Sequence, residues 1–178
     1  MKKLLKFAPL CALLLALVAF ILILAGHSMS YAAEEFGVKV TGWMDGPAAL
    51  FGKGKSEMVS GSVSVAGEVD GKGAWNAVLA FIFVIIALVA LLLSSLMVFV
   101  KIKALEKFSG LIALVAGGLL LVAGIFLFFT VPAFAGANEW KNSDGWGLGG
   151  AWVVAAILAI LGGLVSACPA VLALVEKK

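Results

Sequence analysis

The sequence predicts an all-α transmembrane four-helix bundle carrying a small extracellular antiparallel β-sheet. Three observations predict it. Of 178 residues, 63% are hydrophobic and the mean hydropathy is +1.18, more apolar surface than a water-soluble core of this length can hide. Four apolar runs, residues 4–25, 74–100, 108–131 and 148–175, reach the roughly 20 residues of helix that cross a bilayer. Between the first two runs, a 48-residue polar segment contains stretches that alternate apolar and polar side chains, the period of a strand with one buried face.

Residues 1–25 are read as a cytoplasmic tail and the first span. The start, MKKLLK, is basic, and the apolar stretch 7–25 has 19 residues. A secretory signal core usually has about 7–15, so a retained anchor is the favoured reading. The alternative is cleavage near Ser30-Tyr31-Ala32, which would leave three spans. Residues 26–73 form the first outer loop. In it, FGVKVTGW sets Phe36, Val38 and Val40 on one parity. EMVSGSVSVAGEV does the same for Val59, Val63, Val65 and Val69, with Gly61 and Gly67 in register, and reads as one strand. Gly46 and Pro47 open a turn-rich excursion between them. An antiparallel pair alone is marginal in water, so the sheet must rest on the helix ends and the second loop.

Residues 74–100 are the second span, 101–107 a cytoplasmic linker and 108–131 the third span, which Pro132 is expected to end. Residues 132–147 form the second outer loop. Residues 148–178 are the fourth span and a cytoplasmic tail, with a kink expected near Val165 because Pro169 removes a backbone bond. Lysine placement sets the orientation. Lys2, Lys3, Lys6, Lys101, Lys103, Lys107, Lys177 and Lys178 share one side, opposed only by Glu106 and Glu176. The positive-inside rule makes that side, with both termini, cytoplasmic and the protein a multi-pass plasma-membrane protein.

All five tryptophans fall in outer loops or at outer helix ends: Trp43, Trp75, Trp140, Trp146 and Trp152. An interfacial belt would place aromatics on both sides of the membrane. The one-sided surplus points to an outer folded layer anchored by Trp43, Trp140, Trp146 and Trp152. Small residues recur at helix-facing intervals within the spans. Gly110, Gly117 and Gly124 lie seven apart in the third, and Ala155, Ala159 and Gly163 four apart in the fourth. Ala8, Ala12, Ala16 and Ala19 mark the first span, and Ala80, Ala87 and Ser94 the second. Lipid gives helices no hydrophobic drive to associate, so close approach at small residues supplies the packing. The expected outcome is an intramolecular bundle; the alternative gives one stripe to a contact between protomers.

No ionisable side chain lies in the central part of any span. That argues against ion-coupled transport and intramembrane catalysis, which place such groups at membrane depth. His27 has no second His or Cys on the outer side with which to build a zinc site. No cofactor or metal site is expected, and the net charge of +3 gives no reason to expect nucleic acid. Cys11 and Cys168, near the inner ends of the first and fourth spans, read as small buried apolar residues.

Four spans, a long β-rich first loop and a short second loop resemble the claudin and peripheral-myelin-protein superfamily of tetraspan proteins. The most similar stretch is DGWGLGGAWVVAAILAILGGL, residues 144–164, with Gly145-Trp146, Trp152 and Gly162-Gly163. Trp43 stands for the family's first-loop tryptophan, and Ala49-Leu50-Phe51 loosely for its Gly-Leu-Trp triplet; the family's cysteine pair is absent. The resemblance implies a non-enzymatic structural, adhesion or assembly protein whose partners are the lipid bilayer and either copies of itself or a larger membrane complex. The alternative is a small channel or transporter component whose pore forms on oligomerisation.

Overall fold

The computed structural model describes residues 7–35, 37–100, 103–140 and 143–175. Four of its helices are long and apolar enough to span a membrane: α1 (Ala8–Ala25), α3 (Trp75–Val100), α4 (Lys103–Phe128) and α6 (Gly150–Val175). Two short helices, α2 (Gly46–Phe51) and α5 (Thr130–Ala137), and five strands lie at one end of the bundle. The strands are β1 (His27–Glu35), β2 (Val38–Asp45), β3 (Lys53–Ser60), β4 (Val63–Asp70) and β5 (Trp146–Leu148).

The spans pack in a ring: α1 against α3 and α6, and α4 against α3 and α6. Their contact faces follow the expected small residues. Ala12, Ala16, Ala19 and Ile23 are buried on α1; Ala77, Ala80, Val84, Ala87, Leu91 and Ser94 on α3. Alternating steps of three and four are those of a left-handed, near-parallel seam. Large side chains such as Leu14, Val18, Ile86 and Leu93 point outward, where lipid receives them. Buried serines bridge the helices: Ser94 Oγ donates to the Ser109 carbonyl (3.1 Å), and Ser166 Oγ to that of Ala113.

The first loop supplies four antiparallel strands, where the alternation predicts at least one pair. The sheet order is β4-β3-β2-β1-β5, antiparallel throughout, so the second loop contributes the fifth strand beside the first. Residues 57–69, expected as one strand, form a hairpin. Gly61, at φ +59°, and Ser62 make its two-residue turn, and glycine is the residue a type II′ turn needs at that position. The turn carries Val59 to the opposite face from Val63, Val65 and Val69. The excursion at Gly46-Pro47 is helical. Asp45 Oδ1 caps α2 by accepting from the Ala48 N–H (3.0 Å), with Pro47 in the first turn, where its missing N–H costs nothing.

Three other expectations shift. α4 ends at Phe128, and Pro132 lies in the first turn of a new helix, α5. The fourth span begins at Gly150, because residues 146–148 pair with β1. Cys11 and Cys168 are exposed rather than buried. Phe36 and the basic residues Lys2, Lys3, Lys6, Lys101, Lys141, Lys177 and Lys178 lie outside the described residues.

Candidate functional site

Among the described residues, most of the polar side chains lie in the sheet and its seat on the bundle. The seat is built around the end of α1. A helix leaves its last carbonyls without intrahelical partners. One of them, Ile23 O, receives the indole N–H of Trp152 (3.1 Å), a side chain with no exposed surface. Beside it, β1 bulges between His27 and Met29. The bulge turns Ser28 inward, where its hydroxyl donates to the Asp45 carbonyl (2.6 Å) and its carbonyl accepts from Gly149 N–H (2.9 Å). A Cβ at Gly149 would collide with the His27 carbonyl, and one at Gly46 with that of Ile23. Trp152 thus anchors the junction between sheet and bundle.

Trp140 and Trp146 meet each other at 5.4 Å between ring centroids. They form the middle of a line, Tyr31–Trp146–Trp140–Phe134, with the outer pairs at 5.3 and 5.4 Å. The line joins β1 and β5 to the buried ring of Phe134 on α5. Both tryptophans are half-buried. Trp43 is elsewhere, on the opposite face of the sheet. Its ring stacks on exposed His27 at 4.2 Å and 7°, and its indole N–H donates to Glu57 Oε2 (3.1 Å). The four expected anchors therefore occupy three distinct places.

The packing residues divide as well. Gly117 and Gly163 face each other at backbone distance: a Cβ on the first would lie 2.8 Å from the Gly163 carbonyl, and one on the second 2.7 Å from that of Gly117. Gly124 sits against Ile160 and the Ala156 carbonyl, and Ala155 and Ala159 are fully buried. Gly110 is exposed, with open space around it.

Two asparagines do work that no pattern announced. Asn76, buried at the start of α3, donates from Nδ2 to the Phe126 carbonyl (2.9 Å), tying α3 to α4. Asn138 grips the backbone of Lys72 with both ends of its amide, Oδ1 from N–H and Nδ2 to carbonyl, each at 2.8 Å. The second loop is thereby locked to the segment that leads from β4 into α3. The only available signal was the residue type, since an amide beside an apolar run needs partners.

The sheet presents two unlike faces. Cross-strand register places Tyr31, Val40, Met58, Val63 and Val65 on one, and Trp43, Lys55, Glu57, Ser64 and Glu68 on the other. Near the membrane the apolar face is covered, with Met29 fully buried and Met44 nearly so. Toward the tips it is open: Val63 is 60% exposed and Val65 63%. These valines belong to β4, the edge strand with no neighbour on its far side. The other edge is the three-residue β5. Among the described residues no group of three or more His, Cys, Asp or Glu could hold a metal ion. No family model matches the chain, and no curated protein matches it.

Proposed function

We propose that the chain is a non-enzymatic, claudin-like tetraspan protein with its sheet outside the cell, and that it assembles with copies of itself by pairing β4 edge to edge. The observation that carries this reading is the uncovered β4. β4 is an eight-residue edge strand with exposed valines, no proline, lysine or bulge, and its two charges, Glu68 and Asp70, confined to the base, which leaves the rest a template for another strand. Natural sheets blunt such edges unless they are used.

The strand is self-complementary. Ser60 and Val63 flank a two-residue turn, so they are a hydrogen-bonded pair and alternate residues from Ser64 onward aim their N–H and C=O groups outward. In an antiparallel β4–β4 pair centred on Ala66, Val63 faces Val69 and Ser64 faces Glu68. Valines then meet on one face, and no acid lies directly opposite another. The layout of four strands from one loop and a fifth from the other, seated on four spans, also supports the resemblance to the claudin superfamily.

Cross-linking tests it. Paired residues about 5.5 Å apart at Cα suit a disulfide. With Cys11 and Cys168 removed, Ala66→Cys should oxidise to a dimer in membranes, and Ser30→Cys, enclosed between β2 and β5, should not. Ala66→Pro removes one outward N–H without touching a bond to β3 and should reduce the oligomer of the native chain to monomer. An Ala66→Cys dimer no stronger than that of Ser30→Cys would overturn the proposal.

A further inference from the structure

We propose that the base of the sheet's polar face binds the headgroup of a phosphatidylethanolamine from the leaflet it stands on. An open cleft of about 450 Å³ lies there, lined by Asp45, Lys53, Lys55, Glu68 and Asp70 together with Gly54 and Val69, which pair between the two charged rows. The register sets Lys53 opposite Asp70 and Lys55 opposite Glu68. Such pairs ordinarily close on each other, yet among the described residues no ion pair joins these four. Asp45 already uses Oδ1 to cap α2. The cleft therefore offers two ammonium groups on β3 and two carboxylates on β4, side by side.

Its depth selects the ligand. Lys53 follows α2 by one residue, and α2 ends in Phe51, which is 58% exposed and lies edge-on to Phe81 of the span Trp75–Met97. Trp75, 62% exposed, opens that span at the same end. Exposed aromatics of this kind mark the boundary between hydrocarbon and headgroups. At about 3.3 Å per strand residue, Lys53 and Lys55 stand within the first 10 Å or so above Phe51, which is headgroup level.

A zwitterion fits two rows of opposite charge better than an anion or a cation does. Side chains on facing strands start about 5 Å apart at Cβ, the scale of a phosphate and an ammonium joined by two carbons. The lysines would donate to the phosphate, and Glu68 and Asp70 would accept from the ammonium. A primary ammonium has three N–H groups to give and the quaternary nitrogen of choline has none, so the carboxylates discriminate between the two headgroups. Exposed opposite charges gain little from closing on each other, so the four stay available to a ligand at small cost.

The test is lipid retention by the full chain. The protein is reconstituted in vesicles containing phosphatidylethanolamine, phosphatidylcholine and phosphatidylglycerol in equal amounts, extracted in detergent and weighed intact with its bound lipid. The expected result is roughly fivefold more phosphatidylethanolamine than phosphatidylcholine, the yield of one or two charge-assisted contacts. Lys53→Gln with Lys55→Gln should abolish the preference. Glu68→Gln with Asp70→Asn should abolish it too, while raising retention of phosphatidylglycerol. Equal retention of the ethanolamine and choline lipids by the native chain, which needs no variant to fold, would overturn the proposal. So would equal retention of phosphatidylglycerol and phosphatidylethanolamine, which would make the cleft a simple anion patch. The β4 pairing can fail without affecting either outcome.

Discussion

The single most constrained side chain is Trp152. It fills the gap between the start of α6 and the end of α1, and its N–H covers a carbonyl that α1 cannot satisfy itself. Trp152→Phe keeps most of the ring and removes the donor. A buried carbonyl left without a partner typically costs about 1–3 kcal/mol. Thermal unfolding in detergent should show that loss for Trp152→Phe and a larger one, about 3–5 kcal/mol, for Trp152→Ala. Equal stability of Trp152→Phe and the native chain would mean that water or detergent reaches Ile23 O. Ser28 shows the same economy. One bulge aims its hydroxyl at β2 and its carbonyl at the first turn before α6, so one residue ties three elements together.

Among the elements, the α4–α6 contact depends most on side-chain size. Gly117 and Gly163 let the two backbones nearly touch, and Gly117→Leu must push them apart. Overpacking of this kind costs about 1–3 kcal/mol. Val115→Ile, on the exposed face of α4, is the matched control and should melt with the native chain. Leu120, which lies between the seven-spaced glycines, cannot serve as that control because it is fully buried. The helices were legible in the sequence, because in a membrane the small residues that face inward are also the conspicuous ones. Ala12, Ala16 and Ala19 stood out against leucines and all three are buried. The sheet was legible only in part. β1, His27–Glu35, has no apolar alternation, since Ser28 and Met29 are both buried through the bulge while Tyr31 is held by Trp146 and Gly145. β5 was hidden because three residues carry no period. The role of Trp152 was visible as an anchor, but its partner was not, since Ile23 lies 129 residues away.

For the whole molecule the lysine distribution predicts which side of the membrane the sheet occupies. In a chain freed of Cys11 and Cys168, Lys55→Cys should react with an impermeant thiol reagent on intact cells and Lys103→Cys only after lysis. Reaction of Lys103→Cys alone would invert the proposed topology. The sheet order also has a consequence for how the chain is made. β1 to β4 are contiguous in sequence and can pair as soon as the first loop has been made. The free side of β1 and the bare carbonyl at the end of α1 wait for residues 146–152, the segment that leads into the final span and forms its first residues. During that interval the nascent sheet has two open edges, and contacts of long sequence separation form slowly. A chain that ends before residue 146 would therefore offer an open strand edge on both sides of the sheet. Completion of the fourth span closes the β1 side and leaves β4 as the one long open edge.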